Sequence, residues 1–269
     1  MGTLDGRVAF ITGAARGQGR AHAVRLAAEG ADVIGLDLCG ELPVPTRAST
    51  PDDLAETARQ VERAGGAMHA EVGDVRSLDD LERVVRAGVE RFGRLDIVVA
   101  NAGILGTGLT WELSEREFQD VIDTNLVGVW KTLRVTVPIL IEQGTGGSII
   151  LVSSVAGLRG LPFFSHYSAA KHGVVGLCRS LANELGAHDI RVNSIHPAGV
   201  RTEMVAANER FDELLARFSD TLGPIFMNAL PYDVIEPEQV AEVVAFLASD
   251  AARFTTGAQI PIDLGTLTR

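Results

Sequence analysis

Lysine is nearly absent. The 269-residue chain holds two, Lys131 and Lys171, and arginine supplies the other 22 of its 24 basic residues. Surface solvation does not depend on amines here, so each lysine calls for a specific reason. Tyrosine is as scarce, with only Tyr167 and Tyr232. The two cysteines, Cys39 and Cys178, exclude a disulfide scaffold, show no metal-ligand spacing and suit a reducing compartment. No apolar run approaches the ~18 residues of a membrane span, and the opening GRVAFITGAARG is too broken by glycine and arginine for a secretory signal. A cytoplasmic location without a membrane partner is expected. Net positive charge is missing too: a formal charge of −11 and a pI near 5.0 give no uniform field for nucleic acid. Fixed-period repeats and low-complexity tracts are also lacking.

What is present is an apolar content of 46% and an alternation of short β-rich runs with helical segments. One α/β domain spanning 1–269, with a parallel sheet wrapped by helices, is expected. Arg7 to Ala14 reads as a strand ending in glycine, followed by a helix. At that junction Gly13, Gly17 and Gly19 form T-G-x-x-x-G-x-G, with Arg16 and Gln18 between them. Glycines there let main-chain N–H groups and a helix N-terminus approach a pyrophosphate, although glycines also merely end strands. Asp32 to Leu38 is the second strand. Asp37 at its end, 18 residues after Gly19, can accept hydrogen bonds from a ribose diol and would repel a 2′-phosphate. Arg16 is the contrary hint, and Asp37 is taken to decide for NAD over NADP.

Thr50, Pro51 and Asp53 start a helix expected over 51–64. The preceding Cys39 to Ser49 is long for such a connection, either a cover for the cofactor or a tolerated surface insertion. A third strand is expected to end at Asp74 and Val75, beside an adenine ring. Helix 78–92 and a buried strand ending at Asn101, Ala102 and Gly103 follow, Asn101 being either a cofactor contact or a turn residue. Ser114 and Glu117 make a capping box ahead of one long helix, 115–143. That helix carries Asn125, which by its spacing among apolar neighbours reads as a structural hydrogen-bonder.

The fifth strand delivers Ser154 to the carboxyl edge of the sheet, where open α/β folds put ligands. Tyr167 follows thirteen residues later and Lys171 four after that, one helical turn on and on the same face. A fixed ammonium nearby favours phenolate, making Tyr167 a usable proton carrier. His166 and His172 flank the pair without a carboxylate partner and read as packing or solvated residues. After a sixth strand ending at Pro197, residues 203–235 interrupt the alternation with a phenylalanine-, leucine- and methionine-rich insert. It reads as a lid or as ordinary helix packing. With Leu105, Leu109, Leu158, Leu161, Phe163 and Phe164 it predicts an apolar pocket.

With TGAARGQG at 12–19, NAG at 101–103, Asn125, Ser154 and YSAAK at 167–171, the chain resembles the short-chain dehydrogenase/reductase family over essentially its whole length. The resemblance implies a seven-stranded Rossmann sheet, usually in a tetramer built from the long helices beginning near Glu115 and His166. It implies a catalytic Asn125, Ser154, Tyr167 and Lys171, and reverses the structural reading of Asn125. It also implies NAD held by Gly13, Arg16, Gly17, Gln18, Gly19, Asp37, Leu38, Asp74, Val75, Asn101, Ala102, Gly103, Tyr167 and Lys171. The turn PAGVRT, with Pro197, Val200 and Thr202, resembles the family's nicotinamide-binding turn but has Ala198 where glycine commonly follows the proline. GRVAFITGAARGQGRAHAVRLAAEGADVIGLDLC and TPDDLAETARQVE look like the carveol dehydrogenase-like actinobacterial subgroup, which is associated with mycofactocin. That likeness implies tightly kept NAD recycled through another redox carrier. The expected reaction interconverts a hydrophobic, terpenoid-like or alicyclic secondary alcohol and its ketone. An acyl-carrier-protein ketoreductase and a non-catalytic NAD-sensing or scaffold protein are the alternatives.

Overall fold

Val8 and Phe10 of the first strand, β1 (Val8–Thr12), pack into one hydrophobic cluster, and Ala9 and Ile11 pack into another. A strand that is apolar on both of its alternating faces is stable only where both faces are covered. The computed structural model, which describes residues 2–204 and 208–269, covers both. The other strands are β2 (Asp32–Asp37), β3 (Met68–Val72), β4 (Ile97–Ala100), β5 (Gly147–Val152), β6 (Ile190–Pro197) and β7 (Gln259–Ile262). They form one seven-stranded parallel sheet in the order β3-β2-β1-β4-β5-β6-β7. Helices α1 (Gly17–Ala28), α2 (Pro51–Ala64) and α9 (Pro237–Ala248) cover one face through Leu26, Val61 and Val244. Helices α3 (Leu78–Phe92), α5 (Gly128–Gln143) and α6 (Ser165–Leu185) cover the other through Leu81, Leu133 and Val174. The expected single-domain Rossmann architecture is therefore present.

Local chemistry fixes the ends of two helices where the sequence expects them. Thr50 and Asp53 form a reciprocal capping box ahead of α2, with Pro51 in its first turn, and Gly65 ends it at φ 105°. Ser77 caps α3, and Gly93 ends it at φ 79°. Two expectations need correction. The third strand stops at Val72, so Asp74 and Val75 lie beyond it. The helix expected over 115–143 is divided: α4 (Glu115–Ile122) meets α5 through a π-helical turn, Asp123–Val127, centred on Asn125. One wider turn inside a helix commonly marks a functional position.

Strand order reverses between β1, which continues to β2 and β3, and β4, which continues to β5. That switch point opens a crevice above the carboxyl ends of β1 and β4. The segment between β6 and α9 returns over this edge as α7 (Glu209–Arg217), α8 (Ser219–Leu222) and a 3₁₀ turn, Gly223–Phe226. Residues 205–207 of the expected 203–235 lid lie outside the described residues.

Candidate active site

The crevice is a cleft enclosing about 1020 Å³, counting the part open to solvent. Gly13, Arg16, Gly17, Gln18 and Gly19 line its floor, Asp37 and Leu38 its far end, and Asp74, Val75, Asn101, Ala102, Gly103 and Thr202 its sides. Pro197 and Val200 are not part of this lining; Val200 is buried and bridges to Ile235. Gly19 is where main chain must approach main chain, since a Cβ there would stand 1.9 Å from the Gly13 carbonyl oxygen. Asn101 is held as a structural residue: its Nδ2 donates to the Thr12 carbonyl at 2.9 Å, while the Thr12 hydroxyl accepts from the Asn101 and Ala102 amides, both at 3.0 Å. Those bonds fix the tip of β4 against β1.

Asp37 is buried at the end of β2. One carboxylate oxygen accepts from the Ala15 amide at 2.9 Å and the other from the Ser49 hydroxyl at 2.6 Å. Sequence reasoning missed Ser49, because nothing local marks a residue twelve positions away as a partner. Arg16 Nη1 and Gln18 Oε1 are buried in the same cleft with no partner among the described residues. Buried polar groups without partners are costly, and a polar ligand lying over α1 would satisfy both. The long connection also reaches the cleft: Leu42, Pro43, Val44 and Thr46 line it, and the Thr46 hydroxyl donates to the Glu203 carbonyl at 3.0 Å.

The four residues expected to carry the chemistry come together beside this cleft. Asn125 is fully buried; its Oδ1 accepts from the Ile104 amide and its Nδ2 donates to the Ile104 carbonyl, each at 2.8 Å. The side chain is thus a reciprocal clamp, as its spacing suggested. Lys171 Nζ lies 5.5 Å from the centre of the Tyr167 ring and donates to the Val152 carbonyl at 2.8 Å. Gly103 belongs to the same cluster, because a Cβ there would meet Asn125 Oδ1 at 2.9 Å and Lys171 Nζ at 3.7 Å. The Ser154 hydroxyl accepts from the Ala156 amide at 3.1 Å and lies 3.4 Å from the Pro197 carbonyl oxygen.

The electrostatics depart from expectation. Burial pushes the Tyr167 phenol up to about 12 and outweighs the opposing hydrogen bond from Ser154. The same desolvation takes Lys171 down to about 8. In the protein alone the cation does not win: a poorly hydrated site disfavours phenolate and ammonium together. At neutral pH Tyr167 is a neutral acid with a proton to give.

The two histidines beside Tyr167 in sequence take the packing roles expected of them. His172 Nδ1 meets the Ser168 carbonyl at 2.9 Å, within its own helix. His166 is buried against Phe118, with ring centres 6.4 Å apart, and burial lowers its pKa. The histidine that touches Ser154 is His196, distant in sequence. Above Tyr167 sits an apolar cluster of Leu109, Phe163, Phe164 and Leu214, extended by Phe211, Phe218 and Phe226. Phe163 is its hub, with Phe211, Phe218 and Phe226 rings centred 6.3, 5.8 and 6.3 Å away, and it is held at φ +70°. Two polar ties hold the start of this cover: Asn208 to the Thr107 hydroxyl at 2.6 Å and Arg210 to Glu117 at 3.0 Å.

Comparison with known proteins agrees with this geometry. A family model described as enoyl-(acyl carrier protein) reductase, of the short-chain dehydrogenase type, matches residues 13–266. The chain belongs to the short-chain dehydrogenase/reductase family. This dehydrogenase/reductase is 52% identical to an uncharacterised oxidoreductase of Mycobacterium tuberculosis, over 97% of its own chain and 96% of the relative. It is 45% identical to (−)-trans-carveol dehydrogenase of Rhodococcus erythropolis, over 99% of each. A short-chain dehydrogenase of Mycobacterium paratuberculosis, solved with NAD bound, superposes on it with a TM-score of 0.97 at 49% identity, covering 100% of both chains. The protein is an oxidoreductase of this family. Among the described residues no helix is long and apolar enough to cross a membrane.

Proposed function

We propose that this protein is an NAD-dependent dehydrogenase that interconverts an apolar alicyclic secondary alcohol, of the size of a monoterpene alcohol, and its ketone. The observation that carries this reading is the phenylalanine and leucine cluster packed onto Tyr167, which offers a substrate surface without charge. The relationship to carveol dehydrogenase supports the same class. The cofactor is NAD. Gly13, Gly17 and Gly19 would admit its pyrophosphate, while Arg16 and Gln18 would gain partners for their orphaned atoms. Asp37, buried and already accepting hydrogen bonds from the Ala15 and Cys39 amides and the Ser49 hydroxyl, disfavours a 2′-phosphate at that end.

When bound, NAD would supply the acceptor for hydride from the alcohol carbon. Ser154 would hydrogen-bond the substrate oxygen, and Tyr167 would take its proton during oxidation or give it during reduction. Lys171 would hold the nicotinamide ribose and lower the energy of the phenolate during proton transfer. Asn125 keeps the π-turn in place and would support a water leading protons away. A panel of alicyclic and acyclic alcohols followed by NADH absorbance tests the reading, with NADP+ as the paired control. Turnover confined to small charged hydroxy acids, or equal affinity for NADP, would refute it. A 3-oxoacyl-carrier-protein reductase is disfavoured by Asp37 and the −11 charge, which would repel an acidic carrier. A non-catalytic sensor would have no use for the assembled Ser154, Tyr167 and Lys171.

Three further features belong to this reading. Pro43 and Pro45 stiffen the 39–49 loop, which spans to Glu203, supporting NAD that exchanges slowly and is recycled through a separate redox carrier. Assaying NAD(H) released on denaturing protein purified without nucleotide tests that. Leu126, Val127, Trp130, Gly173, Gly176 and Leu177 leave a shallow apolar depression between the π-turn, α5 and α6. It supports a homotetramer joined through these helices, which light scattering on a Trp130→Glu variant would check. Both cysteines are free, which supports a reducing, cytoplasmic setting.

A further inference from the structure

Strand β6 is an interior strand, next to the edge strand β7, in a sheet whose other interior strands are mostly apolar, yet Asn193, Ser194 and His196 within it are each 0% exposed. Buried polar groups in such a strand require partners. Asn193 finds them in the segment before β7: its Nδ2 donates to the Thr255 carbonyl at 2.8 Å and its Oδ1 accepts from the Ala258 amide at 3.0 Å. One residue on, with the opposite facing, Ser194 pairs with His196 to form a different chain. The His196 Nε2 and the Ser194 hydroxyl lie 2.8 Å apart, and His196 Nδ1 lies 2.7 Å from the Ser154 carbonyl oxygen.

The protonation pattern follows from the partners. A carbonyl oxygen only accepts, so Nδ1 carries the proton and Nε2 accepts from the Ser194 hydroxyl. Burial, with Lys171 adding to it, lowers the ring to about 4 despite the Ser154 bond, so it is neutral with a single tautomer. Ser154 stands where β5 has ended and a 3₁₀ turn, Val155–Gly157, begins, so the sheet ladder no longer fixes its carbonyl, which accepts instead from the Gly157 amide of that turn at 2.8 Å and, across to β6, from His196. Its hydroxyl meanwhile faces Pro197, the residue directly after His196, at 3.4 Å.

We propose that His196 is a positioning residue: through its Nδ1–H bond to the Ser154 carbonyl it orients the Ser154 hydroxyl toward the substrate oxygen and locks that serine to the tip of β6. The inference rests on the role given to Ser154 above. The ring is fully buried and is not among the cleft-lining residues, so it would act by holding the main chain of Ser154. Displacement of a hydrogen-bonding group by about 1 Å can cost on the order of a hundredfold in rate.

The test compares His196→Leu, which keeps bulk and loses both bonds, with His196→Asn, whose amide can place an N–H near the Nδ1 position. Carveol and cyclohexanol with NAD+ serve as probes. His196→Leu is expected to lose about 10- to 100-fold in kcat with KM within about threefold, and His196→Asn to recover most of that loss. A Leu variant with wild-type kcat, or Leu and Asn variants equally impaired, would reduce His196 to packing. Long-range ¹⁵N–¹H spectra of the wild type should show the Nδ1–H tautomer at neutral pH; the other tautomer overturns the proposal. If the wild type turns over neither probe, the substrate reading fails while this one is judged on a crystal structure of His196→Leu. There, Ser154 Oγ displaced by about 1 Å supports it and an unmoved Oγ ends it.

Discussion

Around Gly13, Gly17 and Gly19 the half of the site proposed for the cofactor is built on close main-chain approaches, fixed by bonds such as Asn101 Nδ2 to the Thr12 carbonyl and the Ala15 amide to Asp37. Around Tyr167 the half proposed for the substrate is made of phenylalanine rings, three of them, all carried by the segment after β6, grouped about Phe163. Main-chain groups are the same for any sequence, so in the first half the glycine turn meets what every dinucleotide shares and only side chains such as Asp37 can distinguish one dinucleotide from another. Side chains can be exchanged without disturbing a sheet, so the second half is where selectivity is set.

The sharpest way to separate the halves is Tyr167→Phe, which should lower turnover by at least about 1000-fold while NAD stays bound. Turnover with alicyclic alcohols, read alongside NAD affinity by calorimetry, checks it; near-wild-type activity would remove Tyr167 from the mechanism. Gly19→Ala strikes the other half, because its Cβ would meet the Gly13 carbonyl at 1.9 Å and neither backbone can yield cheaply. NAD affinity should fall by about a hundredfold or more and stability by about 1–3 kcal/mol, measured by calorimetry and urea unfolding. An alanine variant that binds NAD normally would show that this approach is not required.

Lys171 joins the halves and gives a pH signature. Its folded pKa of about 8 lies below its ordinary 10.5. Between those values the unfolded chain holds more protons, so raising pH favours the folded state. Lys171→Met should therefore be more stable than the wild type below pH 8, with the advantage shrinking toward pH 10.5 by up to about 1.4 kcal/mol per pH unit. A pH-independent difference in unfolding free energy would contradict the burial of a charged amine. The smallest effect concerns Phe163. Phe163→Ala should raise KM for carveol by about tenfold and leave NAD affinity unchanged. Phe163→Gly should match it in KM but be about 1 kcal/mol more stable, since glycine adopts φ +70° without strain. Equal stability of the two variants would show that the turn is not strained.

Much of this was legible in the sequence wherever the cause is local. The limits of α2 and α3 were readable because Thr50, Pro51, Ser77, Gly65 and Gly93 act within one turn of their own positions. The Ser154, Tyr167 and Lys171 set was readable because a strand end and a helical turn fix its spacing. The π-turn was hidden, since DTNLV contains no helix breaker and the extra residue accompanies Asn125 clamping Ile104, twenty-one positions away. His196 was hidden for the same reason: the histidine against Ser154 lies forty-two residues away in sequence, and nothing local marks it as a partner. The direction of the Tyr167 shift was misjudged because spacing reveals a neighbouring charge and says nothing about how little water reaches it.

The scarcity of lysine has a consequence for chemical footprinting. Lys171 is 3% exposed, and its pKa of about 8 leaves a larger share of free, nucleophilic amine at neutral pH than an ordinary lysine has. Lys131, the other side-chain amine, is partly buried and donates to the Arg76 carbonyl. Amine-reactive acylation thus becomes a reporter of how often the region over Tyr167 parts: mass spectrometry of the 165–185 peptide would count openings, and an occupied cleft would silence the signal.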